Sequence, residues 1–182
     1  MATNIYENIA NPISGEAFKC ISITPEVYAM QWTLQPKGYV PFEHIHYHQD
    51  EIFNVQKGEL KVLIDGNVYI ARTGERIVVP KGSRHIASNN KEEIMEALVE
   101  YTPALDYDTF MKCLCGLTAD GYLDKNGGVS IPMMGYCLRK MKCKAMATPT
   151  AIPAPAFSMA LNVFYLMGTL KGWSKMYNKY TR

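Results

Sequence analysis

Two segments rich in histidine and glycine constrain the fold of this chain more than any other feature of its sequence. The first has the spacing Gly-x5-His-x-His-x4-Glu-x6-Gly over residues 38–58. The second has the spacing Gly-x5-Pro-x-Gly-x2-His-x3-Asn over residues 74–89. Both alternate short apolar runs with turn-forming residues, which is typical of β-strands joined by tight turns. The sequence therefore predicts that these histidines lie on strands of an all-β fold.

The histidines and the glutamate of these segments are predicted to face one another. His44 and His46 are two residues apart on a strand, so both imidazoles leave the same face. The polar stretch after His46 favours a turn that returns Glu51 on the antiparallel neighbour, facing the same way. The turn Pro80-Lys81-Gly82 then delivers His85 onto a further strand.

Imidazoles and a carboxylate suit Fe, Mn, Ni, Zn or Cu. The sequence therefore predicts a site for one divalent transition metal, formed by His44, His46, Glu51 and His85. Glu51 is also the candidate catalytic residue, because a carboxylate released from a metal can act as a base. The alternative is a metal-free barrel in which these four side chains form a hydrogen-bonded polar cluster. His48 is expected at the rim, because the chain must turn before Glu51.

The remainder of residues 18–103 is also predicted to form short strands. Met30 to Gln35 alternates apolar and polar residues, and Asp65-Gly66 is a strong hairpin signal between two apolar runs, Leu60 to Ile64 and Val68 to Ala71. Inward-facing side chains near the predicted metal site are expected to line a pocket for a small-molecule ligand: Met30, Trp32, Phe53, Val55, Val99 and Tyr101.

The two histidine segments resemble the two conserved motifs of the cupin superfamily at all ten defining positions, and the 15 residues between them, 59–73, match the short spacing of microbial members. The resemblance implies a mainly β, RmlC-like jelly roll, the double-stranded β-helix barrel. It also implies the same four metal ligands. The leading functional hypothesis is a mononuclear metalloenzyme of the dioxygenase or the isomerase and lyase type. A non-catalytic module that binds a small molecule or a metal is the alternative.

After Pro103 the pattern changes from strands to helices. Residues 1–103 are therefore assigned to the barrel and residues 104–182 to a C-terminal helical extension. Helices are predicted at Tyr107 to Thr118, Met133 to Met146 and Ala156 to Met176, with a Pro-rich linker near residues 148–155. The last helix has only a narrow polar stripe, so most of its surface is expected to need cover: Ser158, Asn162, Tyr165 and Thr169 form the stripe.

Charge divides the chain near the same point. Residues 1–124 carry ten Lys or Arg and seventeen Asp or Glu, a net charge of −7, whereas residues 125–182 carry nine Lys or Arg and no acid, a net charge of +9. The two parts are expected to attract one another or a neighbouring copy, and a homodimer is predicted. Weak contact of residues 156–182 with a membrane surface gives a third hypothesis, an interaction protein. Nucleic acid is not an expected partner, because no binding motif is present.

The five cysteines fit free thiols packed as small hydrophobic groups. A zinc site formed by Cys113, Cys115, Cys137 and Cys143 is the weaker alternative, because the spacing is unusual for such sites. Met1 to Gly15 is polar and lacks the basic start and apolar run of a secretory signal. A cytoplasmic location is therefore expected.

Overall fold

A computed structural model describes residues 9–144 and 148–181 of the protein. The strands are β1 (Ile9–Ala10), β2 (Glu16–Ile23), β3 (Tyr28–Leu34), β4 (His44–Ile45), β5 (Asp50–Lys57), β6 (Glu59–Ile64), β7 (Asn67–Arg72), β8 (Arg76–Val79), β9 (Arg84–Ser88), β10 (Met95–Thr102) and β11 (Thr148–Pro149). The helices are α1 (Tyr107–Ala119), α2 (Ile131–Met141), α3 (Ala154–Leu170) and α4 (Ser174–Thr181).

The strands form two antiparallel sheets with the core between them. The six-stranded sheet has the order β1-β2-β3-β10-β5-β8, and the five-stranded sheet has the order β11-β4-β9-β6-β7. Neighbouring strands in each sheet are mostly distant in sequence, as in a jelly roll. The predicted double-stranded β-helix with C-terminal helices is therefore confirmed.

Alternation of apolar and polar residues sets which face of each strand is buried. On β3, Trp32 and Leu34 are buried, and the residues that flank Trp32 are less so. On β10, every second residue from Met95 to Tyr101 is buried. The two strands pair with Val99 opposite Met30, so their inward side chains form one continuous surface. Burial of each large apolar side chain contributes about 1.5–3 kcal/mol.

The predicted hairpin at Asp65-Gly66 is confirmed. Both residues have positive φ angles, 49° and 87°, as the tight two-residue turn requires. β6 and β7 pair across it from Ile64 opposite Asn67 outwards. The turn therefore fixes the register, and a slip of one residue would move the buried Leu60 and Val62 to the outer face.

The relation between the His44 strand and the Glu51 strand differs from the expected hairpin. β4 pairs with β9 and β11 in one sheet, whereas β5 lies between β10 and β8 in the other. The chain between them therefore crosses from sheet to sheet. Gln49 holds this crossing, since its Nε2 donates to the carbonyl oxygens of Pro103 and Ala104 at 2.7 and 3.1 Å. Alternation alone cannot distinguish the two cases, because either arrangement directs Glu51 into the barrel.

The C-terminal extension differs from the sequence prediction in three places. The second helix ends at Met141, where Lys142 adopts a left-handed conformation with φ of 52°; Met146, its predicted end, lies outside the described residues. Thr148–Pro149 of the predicted linker forms β11, which pairs with β4. The last helix divides into α3 and α4 at Gly172, whose φ of 74° is typical of a helix C-terminus.

Helix α3 packs on α2 along a face that contains the buried Gly168. A methyl group there would collide with the ring of Tyr136 and lie 2.6 Å from Cε3 of Trp173. We expect Gly168→Ala to lower the free energy of unfolding by about 2 kcal/mol in urea denaturation. Thr169→Ala, at the exposed next position, is the control and should change it by less than about 0.5 kcal/mol. Equal losses in both variants would contradict packing as the cause.

Candidate metal centre

Four buried side chains, three of them on strands and one directly after β4, meet inside the barrel. His44 on β4 lies directly opposite His85 on β9, and His46 follows β4 by one residue. Glu51 on β5 reaches them from the facing sheet. The candidate ligand atoms of the four side chains all lie within 4.8 Å of one another. Ligand atoms on one transition-metal ion are separated by up to about 4 Å, so a small contraction would suffice.

Two backbone carbonyl groups orient the imidazole rings. Nδ1 of His44 lies 3.1 Å from the carbonyl oxygen of Phe42, and Nδ1 of His85 lies 3.1 Å from that of Ser83. A carbonyl oxygen can only accept, so each Nδ1 carries the proton. Nε2 of each ring therefore faces the cluster, which is the usual arrangement of a metal-binding histidine.

Glu51 is held by two donors, one at each oxygen. The hydroxyl group of Tyr101 donates to Oε1 at 2.6 Å, and Nε2 of His85 lies 2.8 Å from Oε2. Burial would raise the pKa of Glu51, but the hydrogen bond and charge of His85 outweigh it and lower the pKa to about 2. The carboxylate is therefore ionised at neutral pH, as a metal ligand must be.

The pKa values of His44 and His85 are shifted in opposite directions. Burial and the charges of His85 and His46 lower the pKa of His44 to about 3, so this ring is neutral and its Nε2 has a free electron pair for coordination. Burial also lowers the pKa of His85, but the carboxylate of Glu51 outweighs this and raises it. Nε2 of His85 therefore faces the carboxylate of Glu51, 2.8 Å from Oε2. A metal cation at that point would satisfy the same carboxylate, so the donor set fits a transition metal.

The barrel strands that hold this cluster match a known protein family. Residues 30–101, which include His44, Glu51 and His85, match the family model described as a cupin domain. Residues 30–101 therefore form a cupin domain. The matched segment runs from β3 to β10 and contains all four clustered side chains. The cupin motifs and the buried cluster therefore coincide.

Solved structures similar to this cupin barrel come from several organisms. KdgF from Halomonas sp. is 22% identical, with a TM-score of 0.48 over 52% of this chain and 84% of that one. An RmlC-like cupin from Shewanella frigidimarina is 19% identical, with a TM-score of 0.47 over 54% and 85%. The Cnp3 cupin domain of Schizosaccharomyces pombe is 15% identical, with a TM-score of 0.46. The match covers 48% of this chain and 64% of that one. No curated protein matches the sequence significantly.

A cavity of about 90 Å³ adjoins the cluster inside the cupin barrel. Four of the residues predicted to line a pocket do line it: Met30, Trp32, Phe53 and Tyr101. The other two, Val55 and Val99, pack in the core instead. Val55 is two residues further from Glu51 along β5 than Phe53, and Val99 lies between the longer Met30 and Phe53 on the adjacent strands.

Helix α1 forms a wall of this cavity that the cupin motifs do not contain. Its Tyr107, Phe110 and Met111 line the cavity. The ring of Tyr107 stacks on that of Tyr101, with centroids 3.7 Å apart and planes 22° apart. The C-terminal extension therefore covers the barrel beside the cluster and limits the access of water to Glu51.

His48 and the cysteines lie away from the cluster. His48 is exposed, at the surface turn that precedes β5. All five cysteines are free, and four of them are buried. Within residues 9–144 and 148–181, no three cysteines come close enough to form a metal site. The described structure thus favours packed thiols over the zinc alternative.

Glu16 and Tyr107 are among the cavity residues that were not predicted from the sequence. The barrel was expected to begin at Phe18, but β2 begins two residues earlier and directs Glu16 inwards with Phe18. The alternation of β2 was the available signal for Glu16, because an acid at an inward position is unusual. Tyr107 belongs to a helix outside the motifs, and its sequence gives no sign of which surface it covers.

Proposed function

We propose that this protein binds one divalent transition metal at His44, His46, Glu51 and His85 and uses it to bind a small oxygen-containing molecule in the adjacent cavity. The observation that carries the proposal is the convergence of four buried ligand atoms within 4.8 Å. Such a metal supplies Lewis-acid polarisation of an oxygen ligand, or a redox centre if it is iron, manganese or copper. Its identity is left open, because the donor set suits several ions.

The side chains at this site have different roles, which follow from their positions. The backbone-anchored rings of His44 and His85 would present Nε2 to a bound ion, and Tyr101 fixes one oxygen of Glu51. The stacked Tyr107 keeps that oxygen in a dry environment, where electrostatic interactions are stronger. The hydroxyl group of Tyr101, 2.6 Å from Oε1, also holds the ionised carboxylate of Glu51 in one orientation.

We propose catalysis, of the dioxygenase or the isomerase and lyase type, over simple storage of a ligand. The support is the largely apolar cavity that adjoins the four-residue cluster and is covered on one side by α1, because enzymes exclude water where a reactive centre operates. The alternative, a non-catalytic binding module, uses the same residues. Turnover separates the two functions, since a storage protein would return its ligand unchanged.

Metal content tests the proposal directly. Protein purified without chelators and without a nickel column is expected to contain close to one transition-metal ion per chain by elemental analysis. Anomalous X-ray scattering at the absorption edges would then identify the ion and place it. Absence of a stoichiometric metal, together with no gain in stability on adding Fe²⁺, Mn²⁺, Ni²⁺, Zn²⁺ or Cu²⁺, would contradict the proposal.

The exposed face of α3 favours a second candidate function, contact with an anionic membrane surface. Four apolar side chains along one side of this helix are exposed: Met159, Val163, Leu166 and Leu170. Helix α3 has no charged residue, and the exposed Lys171 and Lys175 follow it in a tail without acids. A second copy docked on the same face would bring like charges together, whereas anionic lipid would not. None of the described helices could cross a membrane.

Leu166→Glu tests this surface. Placing an acid in the middle of the apolar face is expected to reduce co-sedimentation with phosphatidylserine-containing vesicles about fivefold, because it opposes both burial and charge attraction. Val78→Glu, at an exposed apolar position on the barrel, is the matched control and should sediment as the wild type does. Failure of the wild type to sediment would contradict the membrane candidate. If light scattering shows that the wild type is a dimer and that Leu166→Glu dissociates it, the exposed face of α3 is a self-association surface instead.

A further inference from the structure

The indole group of Trp32 is an unsatisfied donor beside the cavity. Trp32 is 2% exposed and lines the cavity, with its ring 5.5 Å from that of Phe53. Among the described residues, its Nε1–H has no acceptor in hydrogen-bonding geometry. A buried donor without a partner costs about 1–3 kcal/mol, which is uncommon unless a water or a ligand supplies the acceptor.

Glu16 brings a second polar group to the same wall. Its carboxyl group is buried and lines the cavity, and Ser14 donates to Oε2 at 3.0 Å. Burial raises the pKa of Glu16 to about 8, although the hydrogen bond from Ser14 and the indole donor of Trp32, which approaches the carboxyl group, lower it and the charge of Glu51 raises it further. The group is therefore mostly a neutral acid at pH 7, able both to donate and to accept.

An apolar stretch separates this pair from the metal cluster. Along β5, Glu51 is followed two residues later on the same face by Phe53, and the Phe53 ring contacts Trp32. Met30 precedes Trp32 on the same face of β3 and also lines the cavity. The cavity thus has a polar group at the cluster, an apolar middle and a second polar group at Glu16 and Trp32.

We propose that Glu16 and Trp32 bind a hydroxyl or carbonyl oxygen of the same molecule whose carboxylate lies at the metal cluster. The inference rests on the proposed function, since the cluster is taken to hold the other end. A hydroxyl group suits the pair best, because its oxygen accepts from the indole Nε1–H while it exchanges a hydrogen bond with the neutral acid. The ligand class is therefore a short hydroxy or oxo carboxylic acid.

The cavity volume limits the length of this ligand. Benzene occupies an engineered cavity of roughly 150 Å³, whereas this cavity measures about 90 Å³. An aromatic ring would not fit without movement of α1. A short aliphatic acid, with its apolar carbons against Met30 and Phe53, would fit with the present walls.

Two probes of equal size test the assignment in protein loaded with Mn²⁺. Butyrate and 3-hydroxypropionate differ only in a terminal methyl or hydroxyl group, and their dissociation constants follow from the paramagnetic relaxation of their protons. We expect the wild type to bind 3-hydroxypropionate roughly tenfold more tightly than butyrate. Trp32→Phe and Glu16→Met are each expected to reduce this preference to less than about twofold by weakening only 3-hydroxypropionate. Glu16→Gln, which keeps a donor and an acceptor, should retain it.

The outcomes separate this inference from the proposed function. Metal content is measured for every sample, and failure of the wild type to hold a metal would overturn the proposed function. Metal-loaded protein that binds neither probe, or that binds both equally, would overturn the assignment of Glu16 and Trp32 alone. An unchanged preference in Trp32→Phe and Glu16→Met would also overturn it. Trp32→Phe keeps an aromatic ring in the core, so it tests the assignment even if Glu16→Met does not fold.

Discussion

A His46→Ala variant is expected to lose the metal while keeping its fold. Removal of one of four ligands leaves two histidines and Glu51, and we expect the metal affinity to fall by more than about 100-fold, beyond the effect of changing a supporting residue. Because bound metal stabilises only the folded state, the wild type should gain up to about 4 kcal/mol at saturating metal, and the variant should gain little. Elemental analysis and thermal unfolding with and without metal provide the measurements.

His48→Ala is the matched control for this experiment. It removes the same kind of side chain two residues away, but from an exposed position outside the cluster. Its metal content and its stabilisation by metal should equal those of the wild type. If both variants lose metal equally, or if neither does, the four-residue site is wrong. Circular dichroism of His46→Ala distinguishes loss of the site from loss of the fold.

The cluster could be predicted because its signal is local. The two-residue spacing of His44 and His46 and the turn before His85 each fix a direction for a side chain, and the pleat of a strand makes that direction independent of its partners. The sheet in which Glu51 would lie was not encoded in this way. Whether β5 pairs with β4 or faces it depends on strand pairing over long sequence separations, and Gln49 stabilises the crossing through residues 103 and 104.

The fold could likewise be predicted where the signal is local, and not where it depends on residues distant in sequence. The Asp65-Gly66 hairpin was predictable because the turn residues alone select the φ angles. The end of the second helix was not predictable, because Lys142 adopts a left-handed conformation that is rare for residues other than glycine. The short β11 strand was not predictable either, because it exists only by pairing with β4. A two-residue strand has no periodicity of its own to detect.

The position of α1 over the cavity also could not be predicted from the sequence. Helix α1 has apolar residues all along its length, and their pattern shows that the helix is buried but not against what. The stacking of Tyr107 on Tyr101 places α1 over the barrel. Both residues lie outside the cupin motifs, so the motif spacing does not predict this contact. The consequence for function is that the extension, absent from the cupin motifs, sets the size of the cavity.

Glu16→Gln is expected to make the protein more stable at high pH. The pKa of Glu16 is raised to about 8 in the folded state, from 4.5 as its ordinary value. A raised pKa means that the folded state binds the proton more tightly, so this group's contribution to stability is complete below about pH 4.5 and is lost as pH rises through about 8. The pKa difference corresponds to a loss on the order of 4 kcal/mol. Gln cannot ionise and should avoid that loss.

Urea denaturation of metal-free protein at pH 5 and pH 9 measures this effect, because the difference between wild type and variant cancels other titrating groups. At pH 5 the two should agree within about 1 kcal/mol, since Gln can still accept from Ser14. At pH 9 Glu16→Gln should be more stable by several kcal/mol, on the order of the linkage difference. Glu26→Gln removes a carboxylate from an exposed position and should track the wild type at both pH values. If Glu16→Gln also matches the wild type at both pH values, Glu16 ionises freely in the folded protein. The proposal that Glu16 is a neutral acid beside Trp32 would then be wrong.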